Sequence, residues 1–471
     1  MEAKIFFGSK EASKEQKTSR LSPFDGSVVS IAPVCDEADA TKALRIAQEA
    51  SKEAKKTTLA LRCAWILDVA QKLREQKEDI AKTITDEVGK PIAFARVEVD
   101  RCIETLTLSA EFARTMHGET IATDATMSGK ASEAFFIREP VGVVVAITPF
   151  NFPLNLVAHK LAPALVMGNA VVLKPTPEAP LTAYKFARLF IESEFAIKDA
   201  LSVVYGDAEV GSTLVSSDIP RVISFTGSVP VGNIITKSAG IKKVSLELGG
   251  NAATFIDQSA NLPLAALRCA FGAFINSGQV CISLQRIYVH TKVYKEFAKL
   301  LAQETAKLKV GSPYEEATFI GPLINEDAAK RAMSWVESAI SEGAVAMNEP
   351  KVDGRIFHPV VMADVTDDMA IVCEEVFAPI VSLVEVEDFN EALPKMNNSP
   401  YGLQFSIFTN SLENTKKAIR EFEAGGVVVN DIPTLRFDIQ PYGGVKLSGV
   451  GREGPKFALE EFSEIKSVVI C

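Results

Sequence analysis

The chain has 471 residues, enough for two or three domains, and its 47% hydrophobic and 23% charged residues are the composition of an ordered globular protein rather than a disordered or fibrous one. With 50 Lys and Arg against 60 Asp and Glu, a formal net charge of −10, the balance argues against a general nucleic-acid binder. No apolar run nears the length of a membrane span, 141–147 included, and the first ten residues have too short an apolar run for a signal peptide.

Seven cysteines without paired CxxC spacing and four histidines without an HxxxH pair suggest neither a disulfide framework nor a metal site. No metal is therefore expected, and a reducing cytoplasm is the expected compartment.

Residues 37–53 carry Ala40, Ala43, Leu44, Ala47 and Ala50 at three- and four-residue spacing, which predicts a helix with an Ala-rich buried stripe. Further helices are predicted over 59–75, over 80–88 with Gly89 as terminator, and over 91–117, where Arg101 lies among charges that read as a solvated face. Residues 118–139 turn to Thr, Ser, Gly and Lys around short alternating runs such as 134–137. That pattern suits exposed strands that pack on a second subunit.

From 140 to about 249, short apolar runs alternate with helical segments, the mark of a parallel sheet with crossover helices. Strands are predicted at 141–147, 170–173, 201–205, 222–225 and 244–246, and helices at 156–167, 181–194, 209–216 and 231–239. Ligands of such sheets sit beyond the carboxyl ends of the strands, which singles out 148–151, Lys174, 226–228 and 247–250.

A second region of similar type begins after 250: a strand at 253–256, an apolar helix at 264–275, a break at Gly278 and Gln279, a strand at 287–289 and a helix at 293–308. Helices near 326–342 and 412–422 and strands at 381–386 and 427–429 follow. The end holds a Gly-rich loop from 443 and an apolar strand at 465–470 with no obvious local partner. No repeat of 20–50 residues is present.

Cys281 stands at the helix-to-strand junction of this second region. A thiol held partly exposed beside backbone N–H groups is favoured as thiolate and becomes a usable nucleophile; the alternative is a buried structural cysteine. Oxidising an aldehyde through such a thiol also needs an oxyanion donor, an electron acceptor and a base for thioester hydrolysis. Asn151, in Thr-Pro-Phe-Asn-Phe-Pro-Leu-Asn after the first strand, can aim its amide at the oxyanion beside the backbone N–H of Cys281. Glu247, in Leu-Glu-Leu-Gly-Gly after the fifth strand, can reach the same crevice.

Phe-Thr-Gly-Ser at 225–228, Leu-Glu-Leu-Gly-Gly at 246–250, Gly-Gln-Val-Cys at 278–281, Glu-Glu-Val-Phe-Ala-Pro at 374–379 and Pro-Tyr-Gly-Gly-Val-Lys at 441–446 resemble, in order and over essentially the whole chain, the signature blocks of the NAD(P)-dependent aldehyde dehydrogenase superfamily. The resemblance implies an α/β, aldehyde-dehydrogenase-like fold. Its parts would be a Rossmann-type dinucleotide-binding domain at 1–122 and 141–249, an α/β catalytic domain at 250–450, and a β-strand oligomerisation arm and tail at 123–140 and 451–471.

By the same resemblance Cys281 is the nucleophile, Glu247 the general base and Asn151 the oxyanion donor, while Lys160 and Glu453 match positions that relay protons. The aldehyde would pass through a thiohemiacetal and a thioester to a carboxylic acid. The CoA-acylating branch lacks a glutamate at the place of Glu247, so its presence here favours hydrolysis.

For the cofactor, the resemblance implies a pyrophosphate near Ser228, Lys174 at the adenosine ribose, and Glu375 with Phe377 about the nicotinamide ribose and ring. Ile147, Thr148, Pro149, Phe150, Gly206, Gly211, Phe225, Gly227, Val231, Leu248 and Gly249 complete the implied contacts. Three residues after Lys174, where NAD-preferring members often have Glu, stands Pro177, with Glu178 next. NAD and NADP both remain open.

The blocks Gln-Val-Cys-Ile-Ser, Val-Asn-Asp and Gly-Val-Gly-Arg-Glu-Gly are most similar to the branch holding lactaldehyde and related short hydroxyaldehyde dehydrogenases. Arg436, in a loop that often lines the family's aldehyde tunnel, and Arg101 near its mouth are the candidates for binding an anionic or hydroxylated tail; the alternative is an ordinary salt bridge. Val280 stands where the non-phosphorylating glyceraldehyde-3-phosphate branch commonly has Arg, which weakens the case for a phosphorylated substrate. The expected partners are a small aldehyde and further copies of the chain, as a dimer or a dimer of dimers, with no nucleic acid and no membrane. Two rival readings remain: a cofactor-independent thiol hydrolase, for which neither His159 nor His290 has a recognisable pairing motif, and a catalytically silent structural homologue.

Overall fold

Five parallel strands make the centre of the first sheet in the computed structural model, which describes residues 1–470; Cys471, the last residue of the expected tail, lies outside them. Their spatial order is Leu201–Val203, Ala170–Lys174, Val143–Ile147, Val222–Thr226 and Lys243–Glu247. The inner strands are buried on both faces because helices cover both sides, so they read as continuous apolar runs without alternation. In chain order this is the doubly wound 3-2-1-4-5 arrangement. Its order reverses between Val143–Ile147 and Val222–Thr226, and a crevice opens beyond the carboxyl ends of those two strands.

Three antiparallel strands that periodicity did not indicate extend this sheet. Ile5–Phe7 lies beside Leu201–Val203, Lys10–Ala12 lies outside it, and Gly449–Val450 lies beside Lys243–Glu247. Two or three residues are too few to show a period. The last pairing sets Gly449 opposite Glu247 and so returns the C-terminal loop to the crevice.

The second sheet runs Val360–Ala363, Ile380–Val386, Leu284–His290, Ala252–Ile256, Gln404–Phe408 and Gly426–Val429, all parallel, with Val345–Ala346 antiparallel at one edge. Leu284–His290 is buried at every position, so the strand expected at 287–289 is longer than its sequence signal and lies in the sheet interior. Gln404–Phe408 escaped the sequence reading because it carries polar residues. Its Ser406 hydroxyl meets Thr254 Oγ1 at 2.7 Å on the neighbouring strand, which makes burial of both groups tolerable. The helix Phe389–Asn397, also unexpected, is masked by an internal Pro394.

Glu37–Ala54, Leu59–Glu75, Lys77–Val88 and Ile92–Thr115 are the expected helices, the first two capped by Asp36 and Thr58. Ile92–Thr115 packs on Asn155–Val166 and supplies its cap. Glu98 Oε1 accepts from the backbone N–H of Leu154 at 2.9 Å and of Asn155 at 3.1 Å, orphan donors at the start of that helix. The other oxygen of Glu98 pairs with buried Lys90, whose ammonium lies 3.9 Å from the ring centroid of Phe152. Asn155–Val166 is buried along its whole length and carries His159 and Lys160 into the interior.

The tail strand Ser463–Ile470, expected to lack a local partner, pairs antiparallel over all eight of its residues with Glu133–Pro140. The two arm segments thus form one ribbon, which leaves Ile137, Ile465, Val469 and Ile470 exposed. Among the described residues no helix is long and apolar enough to cross a membrane.

Replacing Glu98 by Ala leaves the Lys90 charge buried without its partner and strips the cap from Asn155–Val166. Equilibrium urea unfolding of Glu98→Ala should show a loss of about 3–5 kcal/mol. A loss below about 1 kcal/mol, the range of an exposed pair, would show the buried pair to be dispensable.

Candidate active site

After the helix Leu262–Phe274 the chain turns through Ile275–Gly278 with three successive residues in the left-handed region: Asn276 at φ 51°, Ser277 at 57° and Gly278 at 71°. Such conformations persist in non-glycine residues only where surrounding contacts impose them. Here the Ser277 hydroxyl donates to the carbonyl of Gly321 at 2.9 Å and accepts from its N–H at 3.1 Å, and Asn276 Nδ2 reaches the carbonyl of Asn151 at 3.4 Å. A Cβ on Gly278 would lie 2.2 Å from the carbonyl oxygen of Ala378, so only glycine lets the turn pack there. The turn delivers Cys281, partly accessible, to a cavity of about 440 Å³.

Asn151, Glu247 and Glu453 line the same cavity. Asn151 Nδ2 donates to the carbonyl of Gln279 at 3.1 Å, which fixes the amide two residues before Cys281 and leaves it a second N–H. Glu247 ends the strand Lys243–Glu247, and neither of its carboxyl oxygens has a hydrogen-bond partner among the described residues. Burial, and then the neighbouring Glu453, push its pKa well above the usual carboxyl range.

Glu453 behaves in the opposite sense. Burial would raise it as well, yet His159, Arg436 and Lys160 together hold it below the usual range. Arg436 Nη2 donates to its Oε1 at 2.7 Å, and Lys160, behind the cavity wall, stands 3.7 Å from its Oε2. Lys160 is itself pulled down by burial. Two buried carboxyl groups are thus driven apart, Glu247 toward the neutral acid and Glu453 toward the anion.

The Cys281 thiol is pushed up to about 11 by burial, against the lowering influence of Tyr442 and Arg436. The expectation that the junction favours the thiolate is therefore corrected. Desolvation outweighs the nearby donors, and the thiol is protonated at neutral pH.

Arg436 and Arg101 both reach the cavity, and both are paired. Arg101 donates through Nε at 2.9 Å and Nη2 at 2.7 Å to Asp438, and Arg436 is bound to Glu453 with its guanidinium 3.8 Å from the ring centroid of Tyr442. Asp438 also meets His159 Nε2 at 3.0 Å, so one carboxylate gathers groups from two helices. Sequence reading missed both Asp438 and Tyr442 as site residues. Nothing local marks Asp438, whose partners lie 279 and 337 residues earlier. Tyr442 had a signal, its place in the Pro-Tyr-Gly-Gly block, and its hydroxyl lies 2.9 Å from Cys281 Sγ.

Of the residues expected at the cofactor, Pro149, Phe150, Gly227, Ser228, Leu248, Gly249, Glu375 and Phe377 line this cavity. Ile147, Thr148 and Phe225 sit at the strand ends beside it, and the Phe225 ring packs directly under Gly227. Lys174, Gly206, Gly211 and Val231 lie outside the lining. Lys174 is buried at the end of its strand, with Gly211 of the helix Ala208–Ser216 close enough that a Cβ would touch it at 3.8 Å. Gly206 precedes that helix, and Val231 is exposed on Val229–Ser238. Pro177 is exposed, while Glu178 folds back to accept from the Thr176 hydroxyl.

These residues fit a dinucleotide. The buried hydroxyls of Thr148 and Thr226, at the ends of the two strands where the sheet order reverses, have no partner among the described residues. Ser228 begins the helix Val229–Ser238 without spending its side chain on it. Glu375 accepts from the Gly250 N–H at 3.0 Å, with burial pushing its pKa up to about 7. Free donors at a helix N-terminus suit a pyrophosphate, and the carboxyl group suits ribose hydroxyls.

The family model for the aldehyde dehydrogenase family matches residues 10–468, and the chain belongs to this family. The 3-sulfolactaldehyde dehydrogenase of Priestia aryabhattai is 44% identical over 423 residues, 89% of this chain and 88% of the relative. The lactaldehyde dehydrogenase of Methanococcus aeolicus is 38% identical over 452 residues, 95% of this chain and 96% of the relative. Among solved structures, the NADP-dependent glyceraldehyde-3-phosphate dehydrogenase of Bacillus halodurans, complexed with NADP, has a TM-score of 0.97 at 33% identity, covering 100% of this chain and 99% of that one. The protein is thus an oxidoreductase that converts an aldehyde to a carboxylic acid with NAD or NADP, and the expected α/β fold is the one observed.

Because the thiol is protonated at neutral pH, alkylation of Cys281 by iodoacetamide should rise about tenfold per pH unit through the alkaline range and level off only near pH 11. A plateau already below about pH 8 would show that the site favours the thiolate after all.

Proposed function

We propose that Cys281, Asn151 and Glu247 carry the oxidation, and that the substrate is a short aldehyde with a hydroxylated or acidic tail, of the lactaldehyde type. The observation that carries this reading is that the thiol, the amide and an unpartnered carboxyl group line one cavity with Glu375 and Phe377.

In this reading the Cys281 thiol gives its proton to water, the thiolate adds to the aldehyde carbon, and the oxygen that gains charge is met by the second N–H of Asn151 and the backbone N–H of Cys281. When bound, the dinucleotide supplies the two-electron acceptor that makes the adduct a thioester. Glu247 first gives up its own proton by way of Glu453 and Lys160; as the carboxylate it then takes a proton from water as that water attacks the thioester carbon, and the sulfur leaves as thiolate. A carboxyl group whose oxygens are both unengaged is suited to the task, since no internal hydrogen bond has to break first. Glu453 and Lys160, adjoining in the interior, are the path by which the Glu247 proton leaves.

The tail of the substrate lies toward Arg101 and Arg436. Relatives named for lactaldehyde and sulfolactaldehyde support a short hydroxylated chain, and two arginines on the wall support an acid at its far end. The apolar ribbon of Glu133–Pro140 and Ser463–Ile470 supports a homo-oligomer, dimer or dimer of dimers, and the free cysteines support a cytoplasmic setting. The two sheets support a dinucleotide-binding domain at 1–122 and 141–249 and a catalytic domain at 250–450, with 123–140 and 451–471 as arm and tail, save that Gly449–Val450 joins the first sheet.

An aldehyde panel run with NAD and NADP tests this assignment, with Arg101→Leu beside the parent. The variant should lose roughly 10- to 100-fold in kcat/KM for acid-tailed hydroxyaldehydes relative to neutral ones, the worth of a charge-assisted hydrogen bond. Equal losses across the panel would remove Arg101 from tail recognition, and a parent that prefers long apolar aldehydes would overturn the substrate class.

A further inference from the structure

We infer that Tyr442 is a positioning residue for the nucleophile: its hydroxyl donates to the Cys281 sulfur, holds it at the cavity wall and stabilises the thiolate when it forms. This rests on Cys281 being the nucleophile.

The 2.9 Å approach of Oη to Sγ is the hydroxyl's recorded side-chain contact, and the phenol is buried. Either atom can donate while the thiol is intact, but once the sulfur is charged only the phenol has a proton to offer. Burial, and then the neighbouring Cys281, hold the pKa of Tyr442 well above its ordinary value against the pull of Arg436, so it remains a donor through the working pH range. The phenol keeps its proton; the thiol proton leaves to water.

The ring is held on every side that matters. Its backbone exchanges hydrogen bonds with Glu453 in both directions, at 2.9 and 2.6 Å. The Arg436 guanidinium covers one ring face at 3.8 Å from its centroid and is itself fixed by Glu453 at 2.7 Å. Glu453 thereby anchors both the tyrosine and the cation behind it. The charged and titratable groups facing Cys281 are Tyr442, Arg436, Glu375 and Glu247. The first two favour the thiolate and the carboxyl groups oppose it, so among the neutral donors the Tyr442 hydroxyl is the one aimed at sulfur.

The test compares iodoacetamide alkylation of Cys281, read by peptide mass, in the wild type and in Tyr442→Phe, which removes one oxygen. At pH 8 the second-order rate constant should fall about tenfold, equivalent to a rise of about one pH unit in the thiol midpoint. kcat/KM should fall in step, with NAD(P) affinity and melting temperature as controls for the fold. Should Tyr442→Phe fail to fold, 3-fluorotyrosine placed at 442 makes the phenol a stronger donor and should raise the alkylation rate. Unchanged alkylation with Cys281 still essential for turnover would overturn this inference alone. Full activity of Cys281→Ala would overturn the reading on which it rests.

Discussion

Burying an ionisable carboxyl group without a hydrogen bond is among the more destabilising things a fold can do, and Glu247 is held in that state on both oxygens. The group escapes the full penalty by staying protonated, which burial and the anionic Glu453 both enforce. Much of the surrounding structure follows from this. The Arg436 and Lys160 cations serve Glu453 and leave Glu247 unpaired among the described residues, and the return of Gly449–Val450 along Lys243–Glu247 sets Gly449 opposite the acid.

The same economy governs the thiol. Cys281 is delivered by a turn whose left-handed residues are tied to Gly321 and Asn151, groups from other parts of the chain. The turn is thus set by its contacts with the rest of the molecule and not by local propensity. Desolvation keeps both the nucleophile and the acid uncharged at rest.

Most of the framework was legible because it obeys simple periods. The helices Leu59–Glu75 and Glu326–Ser341 and the strands of the first sheet follow from apolar spacing, and the order of the signature blocks placed Cys281, Glu247 and Asn151 in one site. What escaped was short or long-range. Ile5–Phe7 and Gly449–Val450 are too brief for any period, Gln404–Phe408 hides behind polar residues that pair across the sheet, and Ser463–Ile470 finds its partner more than three hundred residues away. The direction of the Cys281 shift was misjudged for a related reason. A sequence shows which donors lie near in the chain but not how completely the fold excludes water.

Arg101 and Arg436 were both expected at the aldehyde tunnel, and both line the cavity, each already holding a carboxylate. Of the anions that hold them, Asp438 was invisible locally, since its pair with Arg101 joins a helix of the first half to a loop of the second, whereas Glu453 was marked by its place in the signature blocks and lies only 17 residues from Arg436. The central claim, that Cys281 forms the thioester and Glu247 resolves it, is tested most directly by trapping. Glu247→Gln mixed with aldehyde and NAD(P) should accumulate an adduct on the Cys281 peptide with the mass of the aldehyde less two hydrogens, while steady turnover falls by about 10²-fold or more. Undiminished turnover, or an adduct on any other cysteine, would contradict it.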